Sequence, residues 1–385
     1  MKKVLLVSDF FYPHWTGISK SVDYLTQALK DNFQFTVLTI RYDQKLKHRQ
    51  SRDGVKINRF DPHFKLSRTY ISLLLLFKSF CHVKEADSVL INSPCSYVLF
   101  ISLFAKLWRK KLFILHQGDL ILPKGIINRF VQLLFDLMTD LSFSLADGIF
   151  SYTTDYIDHS RLLPAHKHKA KGLLIPLPYF IQRELEKRNS KTDVSLMLKA
   201  LRRKHDYLIG FAGRFVEEKG FDILFEVVKR SQLKKAGVHL VFAGETQVTY
   251  EKTFQHYADV FNDFSDSITM MGLLDDNQLA CFYSNLDIFI LPSRSECFGL
   301  VQAEAMRYGC PVLVSDIPGA RDVVKKTGYG ETFVSENSSD LEKTLMCMIE
   351  HLGQDKNYYQ NRYDKVESYF NYESAKNSLT AFLEG

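Results

Sequence analysis

The alternation of apolar runs with helical segments constrains the fold of this chain more than any other feature of its sequence. Short, continuous apolar runs predict strands, and segments with helical periodicity lie between them. Continuous apolar strands separated by helices are typical of parallel sheets covered on both faces. The first series has predicted strands at 4–7, 35–40, 88–92, 111–115 and 149–152, and predicted helices at 20–30, 97–106 and 128–145.

The same alternation starts again after residue 206. Its predicted strands are 208–212, 238–243, 268–271, 288–291 and 311–314, and its predicted helices are 221–230, 276–283, 300–308 and 341–350. Two such series in 385 residues predict an α/β protein with two Rossmann-like, doubly wound domains. We expect a first domain over 1–180, a linker over 181–206 and a second domain over 207–365. A helix over 366–385 is expected to pack back onto the first domain.

Charge is divided unevenly between the two halves. Residues 1–180 carry 25 Lys and Arg against 14 Asp and Glu, whereas residues 181–385 carry 25 against 30. The excess of cations in the first half indicates a partner that is anionic, such as lipid headgroups, a phosphate-bearing acceptor or nucleic acid. The six cysteines are scattered without a C-x-x-C pair, which is typical of reduced thiols.

The apolar runs are too short to be targeting or spanning segments. The run at the N-terminus ends at Ser8 and Asp9, before a signal-peptide core would be complete. The apolar stretch around 73–77 falls far below the roughly 18 residues of a membrane span. These features lead us to expect a cytoplasmic protein.

The segment 294–304, with the sequence RSECFGLVQAE, is the most informative part of the second half. It follows a predicted buried strand and opens a predicted helix, so the backbone N–H groups of Phe298, Gly299 and Leu300 would point out of the sheet edge. A helix N-terminus of this kind holds a phosphate or a sugar hydroxyl. Glu296 and Glu304 flank the site, and their carboxylates suit the recognition of sugar hydroxyls.

A second loop, GFAGRFVEEKG at 210–220, follows the first predicted strand of the same domain. Arg214 and Lys219 stand five residues apart in the turn, so both can address one diphosphate. Arginine does this with a planar fork and lysine with a point charge.

Together these two loops resemble the E-x7-E and G-R-x-x-x-x-K-G signatures of retaining GT-B glycosyltransferases, particularly family 4. The resemblance implies two Rossmann-like domains facing each other across a cleft, with the nucleotide-sugar donor bound by the second. It implies that Glu304 binds the ribose, that Glu296 contacts the donor sugar, and that Arg214 and Lys219 bind the diphosphate. It also implies that neither a metal nor a cofactor is needed.

Three weaker elements agree with the resemblance. Gly17 follows the first predicted strand where the family carries glycines that approach the phosphates, although the usual glycine pair is Thr16-Gly17 here. His116 ends a predicted strand where a histidine of the family contacts the donor sugar. Gly272 resembles the family's turn beside the nucleobase. A lone strand-end histidine and a strand-capping glycine also have ordinary structural roles.

Several patterns of other enzyme classes are missing from the sequence. It has no D-x-D, which GT-A transferases use to bind a metal, and no G-x-G-x-x-G of dehydrogenases. It has no P-loop and no cluster of His and Cys at metal-binding spacing.

Two segments of the basic half suggest contact with a membrane. Residues 64–83 can be drawn as an amphipathic helix, with Lys65, Arg68, Ser72 and Ser79 on one arc and Leu73, Phe77 and Phe80 opposite. Residues 106–111 place cations around a tryptophan, a composition common at membrane interfaces. Ordinary core-packing helices with solvated polar sides would give the same pattern. The expectation is peripheral association with the inner face of the cell membrane.

The sequence therefore predicts a retaining glycosyltransferase that moves a hexosyl group from a nucleotide-diphosphate sugar to an acceptor. A UDP-sugar is favoured over a GDP-sugar, and the acceptor is a lipid-linked or membrane-associated saccharide or a glycolipid, in polysaccharide or glycolipid biosynthesis. Nucleic acid is not expected as a partner, because it would not explain the carbohydrate-type site. Two alternatives are a nucleotide-sugar epimerase or hydrolase and a non-catalytic GT-B partner subunit.

Overall fold

A computed structural model describes residues 1–14, 16–66, 69–122, 125–178, 193–246, 253–257, 259 and 263–385. The chain divides into two compact units. Unit 1 is Met1–Pro178 together with Asn371–Gly385, and unit 2 is Tyr179–Phe370.

Unit 1 is built on a sheet of eight strands in the order β10-β9-β8-β7-β1-β2-β4-β3. Its neighbouring strands are parallel, apart from the antiparallel pair of β3 and β4. Two further strands, β5 and β6, form a separate antiparallel pair. The bounds are β1 Lys2–Val7, β2 Phe33–Ile40, β3 Arg49–Arg52, β4 Val55–Phe60, β5 Phe64–Leu66, β6 Thr69–Ile71, β7 Ser88–Ser93, β8 Lys111–His116, β9 Gly148–Ser151 and β10 Ala170–Gly172.

The helices of unit 1 are α1 Gly17–Leu29, α2 Leu73–Glu85, α3 Val98–Leu107, α4 Ile126–Leu145, α5 Thr154–His159 and, from the end of the chain, α14 Tyr372–Glu384; a 3-10 segment spans Leu163–Lys169. Capping side chains set several of their starts: Thr16 accepts a hydrogen bond from the backbone of Ser19, and Ser72 accepts one from Leu75. No helix in the described part of the chain is long and apolar enough to cross a membrane.

The predicted amphipathic helix over 64–83 is wrong. Phe64 and Lys65 lie in β5, Arg68 lies outside the described residues, and α2 begins only at Leu73. Ser72 and Ser79 are fully buried, whereas Leu73 and Phe77 are 44% and 72% exposed. The serines can face inward because Ser79 donates to the carbonyl of Leu76 in its own helix and Ser72 caps the helix. Within α2 the serines therefore face inward, and Leu73 and Phe77 face outward.

Unit 2 has a parallel sheet of six strands in the order β13-β12-β11-β14-β15-β16. The strands are β11 Tyr207–Ala212, β12 Val238–Ala243, β13 Ile268–Met270, β14 Ile288–Leu291, β15 Val312–Ser315 and β16 Gly330–Phe333. The helices are α6 Asp193–Arg202, α7 Phe221–Val228, α8 Ser231–Lys235, α9 Asp276–Ser284, α10 Leu300–Arg307, α11 Ala320–Thr327, α12 Ser338–Gln354 and α13 Tyr363–Tyr369. All four residues of β14 and of β15 are buried, as expected for strands covered on both faces.

Two segments near the ends of unit 2 differ from the sequence prediction. The expected linker at 181–206 contains α6, while its residues 181–192 lie outside the described part. The single helix expected over 366–385 is two helices, α13 and α14, with Asn371 capping the second. Only α14 belongs to unit 1.

Helix α14 packs onto the sheet of unit 1. Leu379 and Leu383 are 0% and 2% exposed, and the ring of Phe382 lies 5.3 Å from Phe113 and 5.2 Å from Phe150. Gly148 leaves room for this ring, because a Cβ there would come within 2.7 Å of it. The last residues of the chain thereby complete the core of the first unit.

We expect Leu379→Ala to lower the free energy of unfolding of unit 1 by about 2–5 kcal/mol, because it leaves a cavity under α14. Leu196→Ala, at a position that is 58% exposed, is the matched control and should change stability by no more than about 0.5 kcal/mol. Urea unfolding of both variants checks this, and equal stabilities would show that α14 does not contribute to the core.

Candidate functional site

The two loops singled out in the sequence meet at the point where the sheet of unit 2 reverses its order. From β11 the chain proceeds to β12 and β13 on one side, and from β14 to β15 and β16 on the other. Strands β11 and β14 are parallel neighbours, with Ile209 opposite Ile288. Their carboxyl ends therefore lie side by side, at the topological switch point where open α/β sheets bind ligands.

The loop after β11 approaches the loop after β14 very closely. It passes through a 3-10 turn, Glu217–Lys219, and Gly220 follows with a φ of +64°. A Cβ at Gly220 would lie 1.9 Å from the carbonyl oxygen of Pro292, so only glycine fits both the backbone conformation and the space. This approach brings Lys219 next to the start of the 294–304 segment.

The loop after β14 is fitted closely around the start of α10. Gly299 has a φ of +74° and is the N-cap of α10, with no capping side chain, so the first turn of the helix opens at Leu300. The side chain of Phe298 is buried, and its carbonyl accepts a hydrogen bond from the amide of Gln302. The backbone at Gly319 packs closely against this loop. A Cβ at Gly319 would lie 2.3 Å from the carbonyl oxygen of Cys297.

Lys219 and Glu296 form an ion pair at the centre of this site. The ammonium nitrogen lies 2.7 Å from Oε2 of Glu296, and the hydroxyl of Ser293 donates to the same oxygen at 3.3 Å. Burial lowers the pKa of Lys219, but the carboxylates of Glu296 and Glu218 outweigh burial and raise the pKa above its ordinary value. Lys219 is therefore protonated at neutral pH. The charge of Arg214 also acts on Lys219, so the two predicted cations lie near each other.

Arg294 ties the two loops together. Its guanidinium donates to both carboxylate oxygens of Asp222, at 2.8 and 2.7 Å, and to the carbonyl of Glu217 at 2.6 Å. Its backbone N–H donates to the carbonyl of Glu218 at 2.8 Å. The hydrogen bonds that Arg294 donates to Asp222 raise the pKa of Arg294 further above its ordinary value. Arg294 therefore fixes the 3-10 turn that carries Lys219.

Glu304 lies in the second turn of α10 and is held by a tyrosine. The hydroxyl of Tyr283, in α9, donates to its Oε2 at 3.1 Å. The tyrosine ring is buried and stacks at 6.0 Å on the ring of Tyr308. Glu304 thus keeps a fixed orientation before any ligand binds.

The turn at Gly272 lies at the same sheet edge as the two loops. Its carbonyl accepts a hydrogen bond of 2.7 Å from the N–H of Gly244, which follows β12. A Cβ at Gly244 would in turn lie 1.8 Å from the carbonyl oxygen of Gly213, which follows β11. Glycines after three neighbouring strands therefore allow their backbones to meet. The space beside Gly272 itself is open, since a Cβ there would have no other atom of the described residues within 4 Å.

In unit 1, His116 ends β8 at the carboxyl edge of the sheet. It is 2% exposed, with Nδ1 3.2 Å from the hydroxyl of Ser93 and Nε2 3.2 Å from Oδ1 of Asp119. Burial alone would raise the pKa of Asp119, but His116 and Arg161 lower it below its ordinary value. The structure therefore holds the imidazole by both ring nitrogens.

Gly17 is the first residue of α1. The presence of Thr16 in place of the first glycine of the family's usual pair has a local structural explanation. The Thr16 side chain is the N-cap and accepts a hydrogen bond from the N–H of Ser19 at 3.3 Å. A glycine there could not supply this cap.

The sequence reasoning assigned no role to Arg294, Asp222 or Tyr283. Their signal is weak, since a lone arginine, aspartate or tyrosine in a turn or helix is usually a surface residue. It also missed a buried cluster in unit 1, where Gln117 bonds to Asn92, Ser21 and Tyr152 at the end of β8. Only the spatial pairing of distant segments reveals these residues.

Comparison with known proteins agrees with the site. Residues 196–365 match the model of the family described as glycosyl transferases group 1. The matched segment contains both loops, Gly272 and the whole of α10. The chain is 29% identical over 195 residues to a glycogen synthase of Clostridioides difficile (strain 630). This alignment covers 46% of this chain and 40% of that protein. It spans less than half the length of the curated relatives it matches first.

Solved structures match the whole chain. The complex of Anabaena HepE with UDP matches with a TM-score of 0.76 and 15% sequence identity, and the match covers 100% of both chains. Sucrose-phosphate synthase from Thermosynechococcus elongatus matches with a TM-score of 0.74 and 16% identity over 100% of this chain and 98% of that one. The fold is GT-B, with two Rossmann-like domains, as the sequence predicts.

We expect Arg294→Gln to destabilise unit 2 by about 1–3 kcal/mol, because it leaves Asp222 and the carbonyl of Glu217 without their donor. Arg203→Gln, an exposed arginine after α6, is the matched control and should leave stability unchanged. Thermal unfolding of the two variants checks this. If both unfold at the temperature of the unmodified protein, Arg294 does not tie the loops together.

Proposed function

We propose that this protein is a retaining glycosyltransferase that transfers a hexosyl group from a nucleotide-diphosphate sugar. The observation that carries the proposal is the meeting of Arg214, Lys219 and Glu296 at the switch point of unit 2, next to the start of α10. The family match over 196–365 supports the same reaction class. A UDP-sugar is the favoured donor, in agreement with the complexes of Anabaena HepE, which contain UDP and UDP-glucose.

In this proposal the cations act on the leaving group. As the glycosidic bond breaks, negative charge grows on the nucleoside diphosphate, and Arg214 and Lys219 stabilise it there. Positively charged side chains supply the charge that a metal provides in other transferases, so we propose that neither a metal nor a cofactor is required. Lys219 is suited to this role because its raised pKa keeps it protonated.

The carboxylates would orient the donor. Glu304, held by Tyr283, accepts hydrogen bonds from the ribose hydroxyls, and the N–H groups at Phe298, Gly299 and Leu300 face the phosphate or the sugar. Glu296 already bonds to Lys219, so one residue would link the diphosphate-binding cation to the sugar. His116 would contact the donor sugar from unit 1, and Gly17 and Gly272 would border the phosphates and the base.

The acceptor hydroxyl would attack the anomeric carbon while that carbon has oxocarbenium character. The configuration at this carbon is retained, and a phosphate oxygen of the leaving group accepts the proton of the acceptor. For the acceptor we propose a lipid-linked or membrane-associated saccharide or a glycolipid, bound by the basic unit 1. The protein would then work in polysaccharide or glycolipid synthesis, peripherally attached to the inner face of the cell membrane.

Thermal unfolding of the purified protein with UDP, GDP or ADP, each with and without EDTA, tests the donor site. At 100 times the dissociation constant a bound nucleotide stabilises the protein by about 2.7 kcal/mol, which is readily measured. We expect stabilisation by UDP that persists in EDTA. Stabilisation that EDTA abolishes would contradict metal independence, and no stabilisation by any nucleotide would favour a non-catalytic subunit.

We expect Glu304→Ala to weaken UDP binding by about 10- to 100-fold, since it removes a charged hydrogen-bond acceptor from the ribose. Glu367→Ala, which removes an exposed carboxylate of unit 2, is the charge-matched control and should bind UDP as the unmodified protein does. Calorimetric titration with UDP measures both. Equal affinities of the two variants would remove Glu304 from the ribose site.

Product analysis separates the transferase from the epimerase and the hydrolase. With UDP-glucose and no acceptor, a hydrolase releases free glucose and an epimerase produces an isomeric nucleotide-sugar. A transferase needs the acceptor to turn over, which is the expected result.

A further inference from the structure

Helix α4 exposes a stripe of large apolar side chains on the surface of unit 1. Six large apolar residues are between 44% and 88% exposed, and they recur at the spacing of one helical stripe: Ile126, Phe130, Leu133, Leu134, Leu137 and Leu141. Such a stripe normally faces the core of the domain. In α4 it faces away from the core.

Two acidic residues of α4 contact partners elsewhere in unit 1. Asp136 accepts hydrogen bonds from the guanidinium of Arg161 at 2.8 and 3.1 Å, and Asp140 lies 2.8 Å from Nε2 of His166. The side chain of Thr139 is fully buried. These contacts fix the rotation of the helix about its axis, so the exposed stripe is a property of the folded unit.

The two helices beside α4 extend the same surface. Helix α3 packs against both α2 and α4. On α2 the exposed apolar residues are Leu73, Leu74 and Phe77, and on α3 they are Phe100, Leu103 and Leu107. We call the exposed apolar side chains of α2, α3 and α4 the apolar face. It holds twelve of the twenty large apolar side chains that are exposed in the described part of the chain.

The charges beside the apolar face are predominantly positive. Lys78 and Lys84 on α2 and Arg129 on α4 are exposed, and Arg109 follows α3. Lys84 lies 4.8 Å over the ring of Trp108, which packs on Phe80. Between Asp87 and Asp136 the sequence has only one acidic residue, Asp119. The acidic side chains of α4 contact Arg161 and His166, and the exposed cations form a cationic rim beside the apolar surface.

We propose that the apolar face docks on an anionic lipid bilayer, with α4 lying in the plane of the interface. Exposed apolar surface of this extent marks an interaction site, since monomeric soluble proteins rarely leave more than a few hundred Å² contiguous. An apolar stripe bordered by Lys and Arg is the pattern of interfacial helices, and anionic headgroups attract the cationic rim.

A bilayer fits this face better than a protein partner does. Protein interfaces carry about one hydrogen bond per 100–200 Å², whereas every exposed residue of α4 from Phe130 to Leu141 is apolar. The hydrocarbon boundary of a membrane requires none. The contact would bring a transferase to a membrane-bound acceptor, and this benefit rests on the proposed function. The contact itself is argued from the apolar face and its charges alone.

Flotation of the full chain with vesicles of phosphatidylethanolamine and phosphatidylglycerol tests the proposal. We expect the unmodified protein to float with these vesicles and to bind phosphatidylcholine vesicles much more weakly. The variant Phe130→Gln/Leu133→Gln/Leu137→Gln should lose about tenfold or more of its binding. The matched control Leu196→Gln/Leu273→Gln/Val334→Gln replaces three exposed apolar residues of unit 2 and should bind as the unmodified protein does.

A charge variant tests the rim independently. Lys78→Ser/Arg129→Ser should weaken binding at low salt, and the difference should shrink at high salt because ions screen the headgroups. Lys229→Ser/Lys343→Ser removes the same charge from exposed sites of unit 2 and should have no effect. Equal flotation of the α4 triple variant and its control would overturn the proposal, as would failure of the unmodified protein to float.

Two further readouts separate membrane docking from an interface between copies of the chain and from the proposed nucleotide binding. If light scattering shows a dimer that the α4 triple variant dissociates, without vesicle binding, the face is an interface between copies and the proposal is wrong. All variants should keep the thermal stabilisation by UDP. If UDP does not stabilise the unmodified protein, the proposed function is contradicted. The vesicle result would still decide membrane docking.

Discussion

The close approach of Gly220 to the carbonyl of Pro292 is the constraint on which the site in unit 2 depends. A side chain at residue 220 would occupy the space of that carbonyl oxygen and separate the loops that follow β11 and β14. Their contact allows Lys219 to reach Glu296 and Arg294 to reach the carbonyl of Glu217. The cation proposed to bind the diphosphate and the carboxylate proposed to contact the sugar are therefore positioned by a backbone contact.

This arrangement is organised before any donor arrives. Lys219 is paired with Glu296, Glu304 accepts from Tyr283, and Arg294 holds the 3-10 turn. Each functional side chain thus has its geometry set by a neighbour, and less conformational entropy is lost when a ligand binds. In the proposed complex, Lys219 would share its charge between Glu296 and the diphosphate.

The two units divide the chemistry between them. Unit 2 contributes the close-fitting loops of the proposed donor site, whereas unit 1 carries the excess of positive charge and the apolar face. In unit 1 the contacts of Asp136 with Arg161 and of Asp140 with His166 fix the rotation of α4 about its axis. A helix held in this orientation leaves its apolar stripe exposed for a partner, so contacts beside the helix set a property of the surface.

Periodicity and turn residues predicted most of the fold. Each of the ten predicted strands and of the predicted helices from 20–30 to 341–350 matches an element of the structure to within a few residues. Buried parallel strands and capped helices have strong local patterns, which explains this agreement. Short or weakly apolar elements were missed, such as β3, β10 and β16. The segment 64–83 failed for a different reason: its pattern fits a helix, but β5 and β6 occupy its first part, and α2 is oriented with its serines inward.

The sequence by itself determined the two α/β units and the loops that carry Arg214, Lys219, Glu296 and Glu304, because these depend on local patterns. Only the tertiary structure decided which residues hold those loops, since Arg294 and Asp222 lie 72 positions apart and Tyr283 meets Glu304 from another helix. It also decided which side of α2 and α4 faces outward. Helical periodicity defines a polar and an apolar side, but the contacts of Arg161 and His166 with α4 determine which of them is buried.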